Sequence, residues 1–257
     1  MAFWVEHPSI SIPLYKSFWK IVDFIFPPTC VGCGYIGERM CMNCVKQIKE
    51  IELDNQIEQN NFGLDPLNEN VRILSDQSLK KLYSFAYYNP PISSAIKKLK
   101  YDRDIGISEI LANFLFELYN KNKMDIDMVI PVPLNKKRIK ERGFNQSLLI
   151  AIPFSLMIKK QINKQALRRS KETQSQVGLN RHERFLNVSD AFTAEPTEVE
   201  GKNILLLDDV TTTGATLEAC AIALKSAGAN DIVALTVARA IPTQNGFSDY
   251  HLEAISA

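Results

Sequence analysis

The chain has 257 residues, 46% hydrophobic and 23% charged, with a formal net charge of +1. That length can bury one medium α/β core plus a small module, and the ordinary composition excludes a disordered or fibrous chain. The near-neutral balance excludes a uniformly basic nucleic-acid binder, and no apolar run approaches the roughly 20 residues that span a bilayer. Charge is nevertheless unevenly spread. Residues 121–185 carry fifteen Lys and Arg against five Asp and Glu, whereas residues 46–76 carry three basic residues against seven acidic ones. A basic third of a neutral chain suits an anionic ligand such as pyrophosphate or a nucleic-acid backbone; solvated helix faces are the other reading.

At the N-terminus, Leu14, Phe18, Ile21, Val22, Ile25 and Phe26 recur at helical spacing until Pro27-Pro28 stops them. Lys16, Lys20 and Asp23 interrupt this stretch, and no basic region leads into it, so a secretory leader is not expected. A cytoplasmic location is expected. Next come Cys30-x-x-Cys33 and, seven residues on, Cys41-x-x-Cys44. Two such pairs let four thiolates converge on one tetrahedral ion, and structural Zn²⁺ is favoured over disulfides or a redox dithiol. Residues 50–76 are polar and acidic and read as a connector. The expected division is therefore a helix plus zinc module over 1–55, an acidic linker over 56–79 and the main domain over 80–257.

Within that domain, residues 82–88 predict an aromatic strand and 92–101 and 107–120 two helices. Residues 128–132 predict a buried strand, and a basic turn, Lys136-Lys137-Arg138-Ile139-Lys140-Glu141-Arg142, precedes a helix over 145–159. Gly143 and Asn145 serve that helix as caps or serve the site directly. Strands alternating with helices predict an α/β fold, a parallel sheet with helices on both faces. Ligands of such sheets sit at the carboxyl ends of strands.

The decisive stretch is Leu207-Asp208-Asp209-Val210-Thr211-Thr212-Thr213-Gly214-Ala215-Thr216. An apolar run over 204–207 ends in two carboxylates. A hydroxyl-rich turn follows, then a helix over 217–227. Amides of the turn and the helix start can hold a phosphate, with hydroxyls from Thr212, Thr213 and Thr216. Asp208 and Asp209 suit a ribose diol or a metal. An acid-capped helix start would explain one acid and one Thr, not the whole run. Cys220 reads as a core residue, and His182 as a solvated loop residue.

This segment resembles the phosphoribosyl pyrophosphate signature of type I phosphoribosyltransferases, with Thr211 where that signature usually has an aliphatic residue. Taken with Pro131-Val132-Pro133-Leu134, Arg142-Gly143-Phe144-Asn145-Gln146, Arg169, Thr173, Gln176, Leu179, Arg184, Asn187 and the two cysteine pairs, the chain is similar to the ComF family from about residue 24 to 239. That resemblance implies a type I phosphoribosyltransferase-like sheet with an N-terminal zinc module, and an association with DNA uptake and natural transformation. It implies that Asp208 and Asp209 grip the ribose hydroxyls, directly or through Mg²⁺. Thr211, Thr212, Thr213, Gly214, Ala215 and Thr216 would cradle the 5-phosphate, with Arg138 and Arg142 on the pyrophosphate side. Residues 169–184 read as a loop that closes over the sugar.

Chemistry at such a site is displacement of pyrophosphate at ribose C1, through a transition state like an oxocarbenium ion. Three readings stand side by side. One is a phosphoribosyltransferase with an unidentified acceptor. Another is a non-enzymatic adaptor that handles single-stranded DNA, alongside DNA-uptake or recombination proteins, through Lys136, Lys137, Lys140, Arg169 and Arg184. The third is a role in using DNA as nutrient. Phe144, Phe154 and Phe185 either serve a strand-binding groove or sit in the core.

Overall fold

The apolar run at 204–207 is buried on both faces, which a strand achieves only in the middle of a sheet covered on both sides. The structure is a computed structural model that describes residues 23, 27–52, 57–58, 78–170 and 191–240. In it β7 (Ile204–Thr211) lies between β8 (Ile232–Arg239) and β3 (Met128–Pro131). Flanking them are β2 (Lys81–Tyr87) and β4 (Gln161–Ile162), and β1 (Ile57–Glu58) adds to the β2 edge. The sheet order is β1-β2-β8-β7-β3-β4, parallel throughout except for β1 against β2. From β3 the chain steps outward to β4, but from β7 it steps the opposite way to β8. Those two neighbours therefore diverge, and a cleft opens at their carboxyl ends.

Strand alternation divides the core into two layers. Leu205 and Leu207 pack with α2 (Ile92–Tyr101), α3 (Ile107–Asn122) and α5 (Gln146–Ile158), while Ile204 and Leu206 pack with α7 (Ala215–Ser226). Helix α2 buries Ile92, Ala95, Ile96 and Leu99, the i, i+3, i+4, i+7 stripe of an amphipathic helix. Helix α5 is apolar nearly all round, and accordingly buried nearly all round. Asn145 caps its start, accepting from the Ser147 amide at 3.0 Å and donating to the Val132 carbonyl at 2.9 Å.

Several expectations are corrected. β7 runs through Thr211, four residues past its expected end, so both acids lie inside the strand. Residues 136–142 form a helix, α4 (Lys136–Arg142), not a turn, with Asn135 at its N-cap and Gly143 in the left-handed region at its C-cap. Good helix formers between two caps suffice for that. A two-stranded antiparallel ribbon, β5 (Leu167–Arg169) with β6 (Phe192–Ala194), was not anticipated. Phe154 belongs to the core, and Phe144 is packed against it. Within the expected linker, Ile57 and Glu58 extend the sheet. The predicted helix over 14–26 (Asp23 apart), most of the linker, the loop residues 171–190 with Arg184, His182 and Phe185, and residues 241–257 lie outside the described residues.

The cysteine module is seated on the sheet domain. It carries the short helix α1 (Met42–Val45). Cys30, Cys41 and Cys44 share a core with α2, α3 and α5. Lys98 of α2 donates to Thr29 Oγ1 at 3.2 Å, and Arg39 ion-pairs with Asp23 at 2.6 Å and with Asp104 at 3.0 Å. Gly106 leaves room for that guanidinium, since a Cβ there would collide with it. Residues 49–51 run antiparallel along β2, with Tyr87 N donating to Lys49 O and Ile51 N to Phe85 O. They help cover an edge that would otherwise present unpaired backbone groups. Among the described residues no helix is long and apolar enough to cross a membrane. A short helix, α6 (Pro196–Val199), precedes β7.

Candidate functional site

At the carboxyl ends of β3 and β7, where the connections that follow them diverge, lies an open cleft. Its walls include Val132, Pro133 and Leu134 after β3, Ser147 of α5, the acids Asp208 and Asp209, and residues 210–217. Because the acids are neighbours in a strand, their side chains leave on opposite faces. Asp209, in phase with Leu205 and Leu207, points to the α2 layer. Asp208, in phase with Ile204 and Leu206, points the other way.

The environments differ accordingly. Asp209 is 1% exposed and forms a 2.8 Å ion pair with Lys100 of α2, itself 2% exposed. Burial by itself would raise the Asp209 carboxyl; Lys100 and then Arg142 overcome it and hold the group below its usual range. Asp208 is partly exposed, and its Oδ1 accepts from Ser147 Oγ at 2.7 Å and from the Asp209 amide at 2.9 Å. Among the described residues both its hydrogen bonds fall on Oδ1, which leaves Oδ2 for the cleft. Burial, then the charge of Asp209, pushes the Asp208 carboxyl up to about 7.

Opposite the acids, the turn over 212–214 leads into α7. Gly214 has φ +79°, a conformation that glycine adopts without strain. Among the described residues no backbone carbonyl takes the amides of Thr212, Thr213 or Gly214, and the Ala215 amide has only a 3.4 Å contact to Thr213 Oγ1. The first amides of α7 have no carbonyl in their own helix, so they add to a concave set of donors at the positive end of the dipole. The site thus offers amides for an anion on one side and carboxylate oxygen for hydroxyls or a cation on the other. Thr211 is buried as the last residue of β7, pairing with Arg239.

Placement of the basic residues differs from residue to residue. Arg169, expected to face nucleic acid, lines the cleft and stacks over Phe192 with its Cζ 5.4 Å from the ring centroid. Arg142 is 5% exposed, donates to Gln146 Oε1 at 3.2 Å and lies over the Tyr101 ring at 5.4 Å. It stands behind Asp209, not in the cleft wall. Arg138 contacts Glu141 at 3.7 Å, while Lys136, Lys137 and Lys140 are exposed along α4. Three contributors were missed in the sequence: Lys100, Ser147 and Tyr101. For Lys100 a signal existed, since it falls four residues after Ile96 and seven after the buried Ser93, in phase with an inward-facing stripe.

The four cysteines Cys30, Cys33, Cys41 and Cys44 come together in the N-terminal module. Their sulfurs all lie within 4.8 Å of one another, with Cys33 and Cys41 3.6 Å apart. Four sulfurs around one tetrahedral ion stand about 3.8 Å apart, so the cluster fits a metal. Burial raises the Cys44 thiol to about 12. At Cys30 burial acts the same way, but amides of Cys41, Cys33 and Gly32 bring the thiol down to about 6. Cys220, distant in sequence from this cluster, is a fully buried core residue.

The family model described as the phosphoribosyl transferase domain matches residues 147–251, which span Ser147, both acids, the amide turn and β8. A DNA utilization protein of Shigella flexneri is 34% identical over 155 residues, which make up 58% of this chain and 68% of that protein. Competence protein F of Haemophilus influenzae is 29% identical over 221 residues, covering 81% of this chain and 84% of its own. The chain belongs to the ComF family. Competence protein ComFC of Streptococcus pneumoniae, 29% identical over 206 residues, covers 79% of this chain and 82% of its own. Its fold is thus a phosphoribosyltransferase-like parallel sheet flanked by helices, with a four-cysteine cluster near the N-terminus.

The elevated Asp208 carboxyl has a consequence for stability. A group whose folded value lies above its unfolded one contributes fully below the unfolded value, near 4, and that contribution is lost as pH rises through about 7. Asp208→Asn keeps a neutral group there at every pH. Its melting temperature is expected to match wild type near pH 5 and exceed it near pH 8 by 2–4 °C or more, the response to about 1 kcal/mol in a chain of this size. Parallel melting curves across that range would show that Asp208 is not elevated.

Proposed function

We propose that the cleft binds phosphoribosyl pyrophosphate with Mg²⁺, in a protein that serves DNA uptake or DNA utilisation. One observation carries the reading: among the described residues no backbone carbonyl takes the amides of 212–214 and both hydrogen bonds of Asp208 fall on Oδ1, with these groups lining one cleft at the ends of β3 and β7. The amides and the hydroxyls of Thr212, Thr213 and Thr216 receive the 5-phosphate, and Asp208, the acid that faces the cleft, receives the ribose diol. Arg169 in the wall and Arg138 on the adjoining helix attract the pyrophosphate. Asp208, a hard oxygen donor open to the cleft, fits Mg²⁺, which when bound would neutralise charge on the departing pyrophosphate. Ser147 fixes the carboxylate, and the negative acid pair favours positive charge developing at C1. The same geometry would support phosphoribosyl transfer to an acceptor. The DNA connection rests on what the relatives' names say of those proteins. Expected in isothermal titration is binding of phosphoribosyl pyrophosphate with Mg²⁺ that Asp208→Asn weakens at least tenfold. Undiminished affinity in that variant would remove the assignment.

The cysteine cluster is proposed to hold structural Zn²⁺, with all four positions filled by sulfur and hence closed to chemistry. Residues 1–55 and 80–257 would then be two modules joined through 56–79, the first seated on α2. Metal analysis should find one zinc per chain, lost in Cys44→Ser together with a lower melting temperature, because metal binding is here part of folding. A full zinc complement in that variant would refute this.

A second reading has its own observation. Lys136, Lys137 and Lys140 are exposed on α4, and the half-exposed Tyr101 lies against Arg142 at the end of the same helix. Such a surface suits single-stranded DNA, whose bases stack on aromatics while lysines meet phosphates. Oligonucleotide affinity should fall steeply with salt, and replacing Lys136, Lys137 and Lys140 by Ala should flatten that slope by about 2–3. An unaltered slope would place the DNA contact elsewhere.

A further inference from the structure

Two neighbouring acids that both served the sugar would both face the cleft and repel one another. Here one of them is turned into the core. Asp209 sits 2.8 Å from Lys100, with both side chains at most 2% exposed, and the buried Arg142 stands near. Among the described residues neither the Lys100 ammonium nor Asp209 Oδ2 has a hydrogen-bond partner besides the other, so each depends on the other for compensation. A buried ion pair of this kind is costly to assemble and costlier to break from one side. It is seldom kept for stability alone.

We propose that Lys100 is a positioning residue that locks Asp209 inward, so that Asp208 alone offers its carboxylate to the sugar diol. The linkage is short. The Asp209 amide donates to Asp208 Oδ1 at 2.9 Å, and Ser147 Oγ donates to the same atom at 2.7 Å, so both groups orient one carboxylate and free its Oδ2. If Lys100 is removed, Asp209 either takes a proton or turns toward the cleft, where its charge opposes that of Asp208. Either change disturbs the contact that distinguishes a 2′-hydroxyl from its absence. Lys100 would therefore set selectivity for ribose over 2-deoxyribose. The inference rests on the sugar-phosphate reading above and gives its two acids different tasks.

The test is titration of ribose 5-phosphate and 2-deoxyribose 5-phosphate into wild type, Lys100→Met, Asp209→Asn and the combination of these two. Melting curves establish that each variant is folded. A site that hydrogen-bonds the hydroxyl should favour the ribose sugar about tenfold or more in wild type. Lys100→Met should reduce that ratio below about threefold, and removing both charges should restore at least half of it on a logarithmic scale. Loss of general structure would weaken both sugars alike and leave the ratio in place. An unchanged ratio in Lys100→Met, or a combination no better than Asp209→Asn, overturns the inference. Wild type that binds neither sugar overturns the sugar-phosphate reading itself. Should the first combination fail to fold, Lys100→Gln with Asp209→Asn, a neutral hydrogen-bonding pair, decides the same question.

Discussion

A carboxylate shut away from water stays charged only beside an opposite charge, and that constraint organises this molecule. β7 brings Asp209 into the layer between sheet and helices, and α2 brings Lys100 to meet it. From that pairing the remaining arrangement follows. Asp208, the next residue back along the strand, leaves on the other side and meets the cleft. The amide between them ties the two carboxylates together, and Ser147 at the start of α5 supplies the second donor. Burial and a neighbouring charge then leave Asp208 near neutrality in its proton affinity.

Helix α2 connects this pair to the N-terminal module. It packs in one core with the cysteines and its Lys98 reaches Thr29, while its C-terminal end carries Lys100 and Tyr101, the latter beneath the Arg142 guanidinium. The four-cysteine cluster thereby has a mechanical place in the structure: it packs against the helix that supplies the internal cation. The covering of the β2 edge by residues 49–51 adds a backbone attachment between the same two parts.

Much of the architecture was legible as pattern. The stripes of α2 and α3 were readable because apolar residues at i, i+3, i+4 and i+7 line one face of a helix, and a packed core is what covers such a face. Residues 204–207 announced a central strand because four consecutive aliphatic side chains need cover on both faces. The end of β7 was misjudged, since Asp208, Asp209 and Thr211 have the composition of a turn while neighbouring strands hold them in extended form. Residues 136–142 looked like a turn by charge, whereas Asn135 and Gly143 at its ends make it a helix. Short strands such as β5 and β6 carry too few residues to show any period.

By itself the order of residues determined the chemistry available: four thiols at metal-binding spacing, two adjacent acids, and a hydroxyl-rich turn ahead of a helix. These are local features, and local spacing suffices to make them. Only the tertiary structure decided which acid faces the cleft and which faces Lys100. That choice depends on strand phase and on a helix more than a hundred residues away, and no local pattern encodes the distance between them. It likewise drew Arg142 inward over Tyr101 and set Arg169 in the cleft wall, because where a long cationic side chain comes to rest is settled by the rings and carboxylates packed around it.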